Sequence, residues 1–210
     1  MLSEARRAAA SVKRAVGFRP RIGGPLTVGV GDSITAGHTY PRLNLAANDS
    51  YFDVLAHRRA LGRTRNLGMP GHTARQIADR LDEVLTLAPD RALILAGTND
   101  VHLDMPGGTI DALEEMRARF EAAGVSVRFG LLPPQDRRPA EVIAMNADIR
   151  EWASGAGVQV FDFHTPTADD SGRWKPGYSH DGLHPTAAGT RALADAVPAA
   201  NIRQSPVSPP

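Results

Sequence analysis

The chain contains no cysteine, which excludes disulfides, thiolate metal sites and a cysteine nucleophile together but assigns no compartment. It has no hydrophobic run near the roughly 18 residues that a membrane-spanning helix requires, so no stable membrane insertion is expected. It lacks the apolar stretch of a secretory signal as well, because Ala8-Ala9-Ala10 is bracketed by arginines. The default compartment is therefore the cytoplasm, with secretion left open. Charge of one sign is also missing: the net charge is +1, so no global field argues for nucleic acid or an anionic surface as a partner. That sum hides an asymmetry. Residues 1–25 carry six basic residues against Glu4 alone, a balance of +5 that leaves the remainder at −4.

What is there suits one soluble domain: 210 residues, 42% hydrophobic and 22% charged, enough to bury a full core. Segments that read as strands fall at residues 26–30, 64–67, 92–95, 125–132 and 158–161. Helical patterns alternate with them at 51–60 (capped by Ser50), 73–87, 110–123, 139–154 and 186–197. Alternation of this kind predicts βαβ units and a five-stranded parallel sheet, a three-layer α/β/α sandwich of flavodoxin-like type. The expected division is a basic N-terminal helix and linker over 1–25, the domain over 26–197, and a flexible Pro- and Ser-rich tail over 198–210. The basic segment reads as a peripheral helix with a solvated face, or as an interfacial one.

Four loops, each following a strand or preceding a helix, hold unusual polar residues: Gly31-Asp32-Ser33, Asn66-Leu67-Gly68-Met69-Pro70-Gly71-His72-Thr73, Gly97-Thr98-Asn99-Asp100, and Asp181-Gly182-Leu183-His184-Pro185. Open α/β sheets put their chemistry at the carboxyl ends of the strands. A serine hydroxyl is almost fully protonated at neutral pH and needs a base to become a nucleophile, and His184 is the candidate base for Ser33. A carboxylate three positions before an imidazole can orient that ring and free its other nitrogen, the role open to Asp181. Taken singly, Ser33 is more often a helix cap and Asn99 a turn residue. Their joint occurrence carries the reading. Asp32 reads as a structural residue that bonds loop N–H groups.

In this order and at these spacings the four segments resemble the sequence blocks of the SGNH (GDSL) hydrolase superfamily, over most of the chain. The resemblance implies a serine esterase whose catalytic residues are Ser33, Asp181 and His184. It also implies an oxyanion hole made by the Ser33 N–H, a second-block glycine N–H and the Asn99 side-chain amide. Gly71, followed by His72-Thr73, fits the family position, with Gly68 as the alternative; a Cβ at either would obstruct an approaching acyl oxygen. No cofactor is implied, and the partner is a small-molecule or saccharide ester.

The family spans lipases, thioesterases, lysophospholipases and carbohydrate deacetylases. Aromatic residues amount to only 5% and no long apolar lid is visible, which favours a short acyl group such as acetyl. A lysophospholipase or thioesterase is the alternative within the family. A flavodoxin-like phosphate- or flavin-binding module is the alternative outside it, with Asp32 opposing a phosphate in the first loop. A degenerate, non-catalytic binder on the same fold is a third.

His180 and His184 have the HxxxH spacing of a metal pair, but that spacing joins imidazoles only on a helix, and Gly182 and Pro185 oppose one. No metal site is expected. His72, His102, Asp104 and His164 are candidates to line the cleft, as are Trp174 and Tyr178 for an acyl-pocket or sugar-stacking wall, with packing on the body as the alternative.

Overall fold

A computed structural model describes residues 24–37, 50–58 and 61–197. The expected basic N-terminal helix and the tail at 198–210 lie outside the described residues. In chain order the elements are β1 (Leu26–Gly31), α1 (Ser33–Ala36), α2 (Tyr51–His57), β2 (Arg63–Gly68), α3 (Ala74–Asp79), α4 (Leu81–Thr86) and β3 (Arg91–Leu95). They continue with α5 (Thr98–His102), α6 (Thr109–Ala122), β4 (Ser126–Gly130), α7 (Pro139–Ala156), β5 (Val160–Phe161) and α8 (Ala187–Asp195).

The five strands form one parallel sheet in the order β2-β1-β3-β4-β5. Every residue of β1 is buried, as are all but the first of β3, which is why these segments read as continuous rather than alternating apolar runs. Right-handed crossovers put α2 on one face of such a sheet and α3, α4, α6 and α7 on the other. The chain then returns so that α8 packs on α2, while α3 packs on α6. Tyr51, Phe52, Phe120, Phe129 and Phe163 are fully buried between the layers. Truncating one such ring to alanine costs about 3–5 kcal/mol in comparable cores.

The helix starts follow from their caps. Ser50 and Asp53 form a capping box at α2, and Thr73 and Gln76 form another at α3. Pro139 opens α7, and Gly157, with φ of +66°, closes it. Three expectations change. The single helix expected over 73–87 is two, because the backbone at Arg80 turns (φ −92°, ψ 2°) and its N–H reaches back to Ile77 at 3.3 Å. The fifth strand shrinks to two residues, Val160 and Phe161, which pair with Phe129 and Gly130 of β4. Two one-turn helices, α1 and α5, stand where loops were expected. Among the described residues no helix is long and apolar enough to cross a membrane.

Candidate active site

Strand β1 ends at Gly31, and Asp32 then caps α1, its Oδ1 accepting from the Ile34 N–H at 2.9 Å. Ser33 is thereby the first residue of a helix, and its own N–H has no intrahelical acceptor. In this strand order the direction of winding reverses between β1 and β3, so the crevice of the sheet opens there. β3 leads through Gly97 (φ +116°) into α5, which carries Asn99. Nucleophile and amide candidates therefore come from the two strands that flank the reversal.

The second-block loop is tied to α5. Asn99 Nδ2 donates to the His72 carbonyl at 2.9 Å, which occupies one of its two hydrogens and leaves the other available. Asp100 accepts from the Ala74 N–H at 2.8 Å and from the Thr109 hydroxyl at 3.0 Å, binding the starts of α3 and α6 to the same turn. Gly68 and Gly71 separate here. The Gly68 N–H is donated to Asn66 Oδ1 at 3.0 Å, and a Cβ at Gly68 would collide with the Ala36 backbone of α1. Gly68 is glycine for packing. Gly71 adopts φ of +81° with open space around it, and its N–H has no acceptor among the described residues.

His184 arrives on the opposite wall, 151 residues after Ser33. The Ser33 hydroxyl and His184 Nε2 are 2.9 Å apart, and His184 Nδ1 and Asp181 Oδ2 are 2.8 Å apart. An ionised Asp181 can only accept, so the proton lies on Nδ1, leaving Nε2 to accept from the Ser33 hydroxyl. The other Asp181 oxygen accepts from the N–H groups of Leu183 (2.9 Å) and His184 (2.7 Å). Ser179 braces the turn by donating to the His184 carbonyl at 2.7 Å and accepting from the Gly182 N–H at 3.0 Å. The segment is not helical; Gly182 has φ of +76° and its carbonyl accepts from the Asp136 N–H at 2.8 Å.

The two carboxylates behave oppositely. Burial pushes the Asp32 carboxyl up to about 6, against the lowering effect of the Ile34 N–H, the Thr98 hydroxyl and His184. Its Oδ2 has no hydrogen-bond partner among the described residues. Partial burial also pulls Asp181 upward, but the bonds it accepts from the His184 ring and from the His184 and Leu183 N–H groups together hold it well below the carboxylate range.

The residues expected to line the cleft divide. His102 lines a cavity of about 240 Å³ together with Gln135, Arg137, Asp181, Gly182, Leu183 and His184. His72 contributes its carbonyl to Asn99, and its pKa is lowered by burial and then by Arg80. Asp104 is paired with Arg138 at 2.8 Å, and His164, its pKa lowered mainly by burial, does not line that cavity. Trp174 is buried in the core and Tyr178 packs against it, so neither forms the proposed stacking wall. Sequence reasoning passed over Gln135 and Arg137, although their position just after β4 was the available signal.

The sequence pattern of the GDSL-like Lipase/Acylhydrolase family matches residues 30–192. The chain belongs to that family, and it is a carboxylic ester hydrolase. No curated protein matches it. Among solved structures it resembles a G-D-S-L family protein from Desulfitobacterium hafniense, with a TM-score of 0.71 at 21% identity over 82% of this chain and 97% of that one. It also resembles a GDSL-like lipase from Bacteroides thetaiotaomicron (TM-score 0.67, 23% identity, 91% and 94% covered). A third is a catalytic mutant of an acetylxylan esterase from Geobacillus stearothermophilus (TM-score 0.67, 20% identity, 82% and 92% covered). At these identities the likeness is one of fold. The flavin- or phosphate-binding alternative falls with the family assignment, although the strand order is indeed the flavodoxin one.

Proposed function

We propose that the protein is a serine esterase that works through an acyl-enzyme on short-acyl esters, acetyl-type esters of sugars or small alcohols. The observation that carries the mechanism is the bonded chain from the Ser33 hydroxyl through His184 to Asp181, at 2.9 and 2.8 Å. Ser33 Oγ attacks the ester carbonyl while His184 Nε2 takes its proton. Asp181 stabilises the imidazolium that results and holds its tautomer. The carbonyl oxygen, now an anion, is met by the N–H groups of Ser33 and Gly71 and the free hydrogen of Asn99 Nδ2. His184 then protonates the departing alcohol, and water activated by the same imidazole releases the acid.

The short-acyl reading is supported by the cavity beside His184. Its volume of about 240 Å³ lies below that of pockets for drug-sized ligands. Of the described residues that line it, only Leu183 has a large apolar side chain. An acetylxylan esterase among the structural neighbours is consistent with a saccharide ester. The expected outcome is that p-nitrophenyl acetate is cleaved far faster than p-nitrophenyl palmitate, measured as kcat/KM. The reverse ranking would overturn the short-acyl assignment.

A further inference from the structure

Arg137 stands in the loop between β4 and α7, on a backbone fixed from several sides. Gln135, buried just before it, donates through Nε2 to the Thr98 carbonyl at 2.9 Å, joining the loop to the start of α5. Asp136 donates its N–H to the Gly182 carbonyl at 2.8 Å and accepts the Trp174 N–H at 2.9 Å, joining the loop to the segment that bears His184. After it, the Arg138 N–H returns to the Gln135 carbonyl at 3.1 Å. The Arg138 guanidinium is committed to Asp104 at 2.8 Å and to Glu141 at 3.7 Å. Arg137 differs. It lines the cavity that contains Asp181 and His184, and its guanidinium has no hydrogen bond or ion pair with any described residue.

An arginine presents five N–H donors in a planar fork that matches a carboxylate edge-on. Here such a fork stands, unengaged and with its backbone held, beside the imidazole that serves Ser33. Of the acidic groups nearby, Asp181 accepts from the His184 turn through both oxygens, and Asp136 accepts the Trp174 N–H through Oδ1. His102, on α5, completes the polar wall. We propose that Arg137 forms a subsite for a carboxylate carried by the ester substrate, so that the enzyme selects esters of acidic sugars, hydroxy acids or dicarboxylic acids. The proposal rests on the serine-esterase reading and adds to it the charge of the substrate.

Two matched pairs test it on the intact chain. With the carboxylate on the alcohol side, 4-acetoxybenzoate is compared with its methyl ester. With the carboxylate on the acyl side, p-nitrophenyl hemisuccinate is compared with p-nitrophenyl butyrate. The readout is the ratio of kcat/KM for the charged over the neutral member. Because a hydrogen bond to a charged group is worth about tenfold or more, Arg137→Ala is expected to lower that ratio about tenfold in one pair, chiefly through KM. Arg137→Glu lowers it further, and Arg137→Lys restores part of it. A ratio that stays constant across all three variants, while the neutral esters are still turned over, overturns the subsite and leaves the esterase reading standing. Absence of turnover of every ester by the unmutated chain overturns both.

Discussion

The two walls of the site are built in different ways. The nucleophile wall is a product of the whole fold: Ser33 and Asn99 sit on one-turn helices at the ends of adjacent buried strands, and Asp100 joins α3, α5 and α6 by bonds spanning 9 to 26 residues. The base wall is almost entirely local. Asp181, Ser179 and the His184 backbone bond one another within five residues, and the bond between Asp136 and Gly182 pins the turn to the body. One wall is positioned by packing, the other by hydrogen bonds that a short peptide makes with itself. Each wall also has its own carboxylate, buried and raised at Asp32, half-exposed and lowered at Asp181.

If that contrast is right, substitutions on the base wall should strike rate while sparing stability, and the buried carboxylate should do the reverse. The largest effect is expected for Asp181→Asn. It removes the acceptor that fixes the tautomer and should lower kcat by about 10⁴, with a smaller fall in the denaturant midpoint than Asn99→Ala shows. Asn99→Ala deletes one donor to the oxyanion and should lower kcat by about 100- to 1,000-fold with KM little changed. Equal losses in stability for these two variants would remove the distinction between the walls.

Asp32→Asn should act mainly on stability. A carboxyl raised from 3.8 to about 6 binds more protons folded than unfolded, so stability falls as pH rises across that window and is level above it. The displacement corresponds to about 3 kcal/mol. Asparagine keeps an acceptor for the Ile34 N–H and carries no charge to desolvate. The variant should therefore lose this pH dependence between about 4 and 6, measured by urea unfolding at closely spaced pH values. An unchanged slope would show that Asp32 is not the group responsible.

The four chemistry-bearing segments were legible because each is contiguous and follows a strand or precedes a helix. The parallel sheet was legible from the alternation of strand and helix patterns. The one-turn helices of Ser33 and Asn99 were not, since four or five residues are too few to express a 3.6-residue period. Nor was the break at Arg80, where no proline or glycine interrupts the pattern. Choosing between Gly68 and Gly71 required knowing what surrounds each: one is glycine because α1 lies against it, the other because of its φ. Trp174 looked like a loop aromatic and is a core residue, because burial inside a long connection leaves no periodic trace. The loop holding Gln135 and Arg137 reads in sequence as an ordinary solvated turn.

The separation of 151 residues between hydroxyl and imidazole has a consequence for biogenesis. Domains assemble from the amino end while the polypeptide is still being made. The sheet strands precede position 162, so a nascent or prematurely terminated chain can own its complete β-scaffold and still carry a dormant serine. On the proposed mechanism, reactivity waits until the loop before α8 brings the His184 imidazole to the Ser33 hydroxyl.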